Sequence, residues 1–217
     1  MDVCSVTPPT SDIVLDFVRR SIAAPEPSYT PALPSSLQVA TIFTPHAAVL
    51  APFLSALPAP FTYNIDTPEA AHGQALSYIM LAEGAQRLAK QALAERDGAF
   101  ALRVYDEAVG LLEEVVMLGH GAALLARGRR MLAACLAGCA SAYMLRGAGH
   151  DAAAALRCGQ AAERADRAYM QAYLRQARAH RLLGDVGAAR RVLERAARRA
   201  RGSDVHVIES ALAALQK

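Results

Sequence analysis

Arg175, Arg178 and Arg181 stand three residues apart, a spacing that lays guanidinium groups along one slowly drifting stripe of a helix. Arg87 and Lys90 repeat the spacing upstream. Arginine carries a planar fork of donors that matches a carboxylate, so such a stripe suits an acidic peptide or a chain-terminal carboxylate. The surrounding charge strengthens the case. Residues 157–201 hold twelve arginines against Glu163, Asp166, Asp185 and Glu194, a local net of +8; with +3 for the whole chain, the remainder carries −5. Arg87, Lys90, Arg175, Arg178 and Arg181 are therefore the candidate peptide-binding residues. The plainer alternative is a solvated face in an Ala- and Arg-rich helix.

Other chemistry finds little support. His46, His72, His120, His150, His180 and His206 are scattered, with no His-Glu-x-x-His, no Gly-x-Ser-x-Gly and no phosphate-cradling glycine loop. Gly147-Ala148-Gly149 reads as a turn between helices. Cys135 and Cys139 are one helical turn apart, and Cys158 or His150 would complete a metal set; with Cys4 they lack the paired Cys-x-x-Cys knuckles of structural zinc. Buried packing thiols in a reducing compartment are the expectation. No catalytic residue, metal or cofactor is assigned, and the chain is expected not to be an enzyme.

The elements that must hold these residues follow from proline and cap positions. All 11 prolines fall within residues 1–68, so the rest is free to be almost continuously helical. Thr67-Pro68-Glu69 predicts a helix start: a cap, a proline in the first turn and an acid at the positive helix end. Helices are expected from there to about residue 96, then over about 98–118, 122–145, 151–165, 167–183, 186–201 and 203–215, with a break at Gly119-His120-Gly121. Before them, Ser11 is expected to cap a short amphipathic helix with Ile13, Val14, Phe17, Val18 and Ile22 on one face. Residues 37–43 are ambiguous between helix and extended chain. Thr44-Pro45 opens a helix that Pro52 should kink or end, and 58–66 is expected to be loop. The apolar content of this arm predicts that it packs on the helices or across their groove. Met131 to Leu145 is apolar but too short to span a bilayer. The first residues lack a basic start and apolar run, so a cytoplasmic location is expected.

The helical region repeats. Ala155 and Ala162 recur 34 residues later as Ala189 and Ala196, and Ala101 and Ala108 form an earlier copy. A helical period of 34 marks a helix–turn–helix repeat, whose stacked copies offer a groove. Residues 172–196 carry Tyr173 early in a first helix, Ala177 at the crossing, Leu183-Gly184-Asp185 at the turn, and Ala189 and Ala196 in a second helix. This segment resembles a tetratricopeptide repeat (TPR). Two looser copies, 85–112 with Leu88, Gly98, Ala101, Tyr105 and Ala108, and 140–165, bring the resemblance to about residues 70–200.

The resemblance implies an all-α fold: a right-handed α-α superhelix of helical hairpins, whose first helices line the groove and would carry the basic residues. Chaperone-binding members clamp a terminal carboxylate with Lys, Asn, Asn, Lys and Arg. The corresponding positions are Gln86, Lys90, Gly138 or Ser141, Gln171 and Arg175, of which only Arg175 matches. The pattern therefore points away from heat-shock chaperone tails. The expected organisation is a Pro-rich arm, 1–66, and a helical domain, 67–217, ending in a capping helix. The expected function is a non-enzymatic adaptor or co-chaperone-like module binding an acidic or amphipathic protein segment. One alternative is a nucleic-acid-binding repeat using the Arg-rich half, which lacks the aromatic platforms expected of it. Another is a trafficking module similar to the microtubule-interacting-and-transport type, on the Ala-rich hairpin from Leu88 to Val109.

Overall fold

The side chains that cap and cross helices account for most of what the chain does after residue 67. In the computed structural model, residues 10–23, 35–39, 41–65, 67–117, 121–146 and 150–215 are described. The protein is all-α in class. The chain divides into two units, Met1–His72 and Gly73–Lys217.

In the first unit, helix α1 (Ser11–Ala23) is followed by strand β1 (Ser36–Val39), a 3-10 helix (Thr41–His46), helix α2 (Ala47–Ser55) and strand β2 (Thr62–Ile65). The strands pair in parallel, Ser36 with Thr62 through Val39 with Ile65. Parallel neighbours need a crossover, and the 3-10 helix with α2 supplies it. Val14, Val39, Leu50 and Leu54 form the buried centre.

Several expectations change or are resolved here. The 58–66 segment contains β2, because Tyr63 and Ile65 suit a strand once β1 offers a ladder. Of the ambiguous 37–43, residues 37–39 are extended in β1 for the same reason, whereas 41–43 enter the 3-10 helix. Helix α2 begins after the 3-10 helix, which holds Pro45, and runs through Pro52 to Ser55. A helix this short loses a single backbone bond to Pro52, and buried Leu50 and Leu54 hold the turn on either side of it. Ser11 lies inside α1, and its hydroxyl pairs with His46 Nδ1 at 2.8 Å. Of the expected apolar face Val14 is buried, whereas Ile13 and Phe17 are exposed.

Helix α3 (Pro68–Ala94) starts in the first unit and continues into the second. Thr67 Oγ1 accepts from Ala70 N–H at 3.2 Å, the cap its sequence predicts. Then follow α4 (Gly98–Met117), α5 (Ala122–Arg146), α6 (His150–Ala165), α7 (Met170–Leu182), α8 (Val186–Ala197) and α9 (Ser203–Ala213). Residues 118–120 and 147–149, which hold most of the expected break and the Gly147-Ala148-Gly149 motif, lie outside the described residues.

Each helix from α4 to α9 packs on the next, and in addition α5 touches α7 and α7 touches α9. No comparable contact joins α6 to α8 among the described residues. Helices α5, α7 and α9 thus form one layer and α4, α6 and α8 back it, as in a stacked-hairpin array. The six alanines of the repeat, Ala101, Ala108, Ala155, Ala162, Ala189 and Ala196, are all fully buried. Their small size lets helix backbones approach. At Gly138 and Gly159 the approach is closer still: a Cβ on Gly138 would overlap the Tyr105 ring, and one on Gly159 would meet Gln176 Cγ at 2.8 Å.

The Leu183-Gly184-Asp185 turn closes one helix and opens the next. Gly184 takes φ 80°, its N–H reaches Arg181 O at 3.0 Å, and Asp185 N–H reaches His180 O at 2.9 Å. These two bonds make a Schellman ending. The Asp185 carboxylate then accepts from Ala188 N–H at 2.7 Å and caps α8. The α3–α4 turn repeats this plan with Asp97 accepting from Phe100 N–H at 2.9 Å, but the left-handed position is Arg96, φ 63°.

Candidate functional site

Of the five candidate binding residues, Lys90 from α3 and Arg175 from α7 line one cavity of about 340 Å³. Tyr105, Gly138, Ser141, Tyr169 and Gln171 complete its polar wall, and no carboxylate lines it. Lys90 Nζ donates to Gln86 Oε1 at 3.1 Å along the same exposed face of α3. Arg175 is half-buried, and its Nε is buried without a hydrogen-bond partner. Burial and the neighbouring Arg178 guanidinium both lower its pKa. Arginine remains charged even so, which leaves a desolvated cation with an unfilled donor.

The tyrosines are the part of this cavity that sequence reasoning did not single out as functional. Burial, with the Cys135 and Cys139 thiols nearby, pushes Tyr105 up to about 12. Burial raises Tyr169 as well, against the nearby Arg175 and Arg130 charges. Both phenols are thus neutral donors at ordinary pH. The usable signal for Tyr105 lay in its place in the looser first repeat; Tyr169, one residue before α7, carried no motif.

Arg178 and Arg181 line a second groove of about 530 Å³, also beside α7. Its floor is apolar, with Leu174, Ala177, Leu182, Leu193 and Leu215. Helix α7 therefore splits the arginine trio between two concavities, with Arg175 close enough to Arg178 for mutual repulsion. Arg87 is exposed on α3, one turn before Lys90, and is not among the residues lining either cavity.

A polar network braces this wall from behind. Gln176 is buried, and its amide donates to Gly159 O at 3.1 Å and to Glu163 Oε2 at 2.8 Å. The same carboxylate takes Arg195 at 3.2 Å, so α6, α7 and α8 are tied together. Tyr173, the aromatic expected early in the repeat, is fully buried and donates to Arg167 O at 3.0 Å.

Among solved structures, the chain is similar to a thermophilic TPR protein of Thermus thermophilus, 20% identical, with a TM-score of 0.34, covering 62% of this chain and 80% of that one. No family model matches the chain, and no curated protein does. The helical layers described above stand on their own contacts.

Among the described residues, no group of His, Cys, Asp and Glu side chains could hold a metal ion, and no helix is long and apolar enough to cross a membrane. Cys135 and Cys139 are buried free thiols, and Cys158 is half-buried and free. Burial raises all three pKa values, Cys135 to about 11. Protonated thiols of this kind are poor nucleophiles. Cys4 and the His150 side chain lie outside the described residues.

Proposed function

We propose that the chain is a non-enzymatic, TPR-like protein-interaction module that takes an acidic segment of a partner along α3, α5 and α7. Lys90 and Arg175 receive carboxylates in the smaller cavity. Arg178 and Arg181 flank an apolar groove suited to the non-polar face of the same segment. Arg87 adds attraction at the approach. The observation that carries the reading is the Arg175 guanidinium: half-buried, with one donor unfilled, in a cavity whose lining holds a second cation, neutral phenols and no acid. An unsatisfied buried donor costs about 1–3 kcal/mol, and a carboxylate seated against this guanidinium offsets part of the desolvation. Oxygen acceptors are chemically right for every polar group of the cavity.

The test is binding of an amphipathic Glu/Leu peptide, followed by fluorescence anisotropy. Charge reversal of Arg175 and Arg178 should weaken binding at least about tenfold, equivalent to about 1.4 kcal/mol. Salt should weaken the parent complex too, through screening. The neutral pair Arg175→Gln with Arg178→Gln removes their mutual repulsion, so it should keep the melting temperature and still lose affinity. Unchanged binding by both double variants would return these arginines to a solvated face.

A further inference from the structure

A different concavity collects four more arginines. Arg129 and Arg130 come from α5, Arg164 from the end of α6, and Arg167 from the turn into α7. They surround a basin of about 780 Å³ with Val116, Leu132 and Ala165 among its apolar lining. It shares no lining residue with the Lys90–Arg175 cavity or the Arg178–Arg181 groove. The sole acid of the lining is Asp166, 4.0 Å from Arg130 and already accepting from Ala168 N–H at 2.8 Å. Arg129, Arg164 and Arg167 form no ion pair among the described residues. The α6 dipole gives a reason for Arg164 in its last turn; it gives none for Arg129 and Arg130, in the first half of α5.

We infer that this basin is a phosphoryl-directed site, taking a phosphoserine or phosphothreonine of a partner segment whose apolar flank rests on Val116, Leu132 and Ala165. Four cations against one carboxylate leave a net of +3, of which a single carboxylate ligand offsets only one charge. A phosphoryl group brings nearly two charges on three acceptor oxygens. Its oxygens match planar guanidinium forks, which is why arginine is favoured where such groups are held bidentately. The arginines converge from three elements onto one basin, where a nucleic-acid strand would call for a basic track. The lining has no aromatic ring on which a base would stack. The apolar floor gives a peptide flank something to cover.

The test uses a fluorescein-labelled peptide pool with a central phosphoserine and degenerate flanks, its unphosphorylated twin, inorganic pyrophosphate and a 12-nucleotide RNA. The parent protein should bind the phosphorylated pool roughly tenfold or more tightly than its twin. Arg164→Glu with Arg167→Glu should abolish that difference. Arg164→Lys with Arg167→Lys, which keeps charge and loses the fork, should lose most of it. Both variants should retain the parent's affinity for the Glu/Leu peptide, which separates this site from the one proposed above and reports that the array is folded. Equal binding of the two pools overturns the inference. Pyrophosphate binding as tight as the phosphorylated pool reassigns the basin to a small free anion. RNA bound more tightly than the pool, and released by the same substitutions, replaces it with a nucleic-acid site.

Discussion

Tyr105 shows how a single side chain can serve both packing and the site. Its ring fills the space over Gly138, and the same residue lines the cavity that holds Lys90 and Arg175. A phenol held up to about 12 against the ordinary 10.0 has a signed consequence. Between those values the unfolded chain releases the proton and the folded one keeps it, so stability falls as pH rises. Tyr105→Phe should flatten this alkaline loss, read as melting temperature against pH from 9 upward, and leave stability at pH 7 nearly unchanged. An equal alkaline slope in both proteins would remove Tyr105 as its source. The cysteine thiols, also raised, contribute in the same direction and remain in the variant.

At the scale of elements, two turns of one design differ in a single residue. Gly184 occupies the left-handed position after α7, where an arginine side chain stands after α3. An L-residue there costs roughly 1–2 kcal/mol, offset in part by the greater chain entropy that glycine loses on folding. Arg96→Gly should therefore stabilise the protein by about 0.5–1 kcal/mol in urea denaturation. The crossings give the opposite sign. Ala177 and Ala189 are buried between helices, and Leu at either should overpack the crossing at a cost of about 1–3 kcal/mol. A melting temperature unmoved by both Leu variants would mean that these crossings have room to spare.

For the whole molecule, the two units differ in the cores that hold them. The first centres on Val14, Val39, Leu50 and Leu54. The second has an extended cluster running through α3, α4 and α5, with further clusters joining α5 to α9. Less buried apolar area means a lower free energy of local opening. Hydrogen exchange should therefore release the amides of α1, β1, α2 and β2 well before those of α4, α5 and α7. Equal protection across both units would show that they open as one.

Much of the second unit was legible in the chain itself, because the forces that shape it are local or repeated. Proline confinement, the Thr67 cap, the Leu-Gly-Asp turn and the 34-residue recurrence of small residues act over a few turns of helix. They placed the helices of this unit to within a few residues at most ends, and the recurring alanines proved buried. Sequence spacing could not say how α7 divides its arginines. Three residues per step leaves Arg175 and Arg178 close on the helix, and only the neighbours α5 and α9 decide which concavity each one meets. Nor could it gather Arg129, Arg130, Arg164 and Arg167, distant in sequence and joined by the packing of α5 on α6. The β1–β2 pair was hidden for the same reason: a ladder between strands 26 residues apart satisfies backbone groups that no local pattern assigns to one another. Local chemistry set where helices begin, cross and end; the meeting of side chains from separate helices, which makes the sites, was decided by tertiary packing.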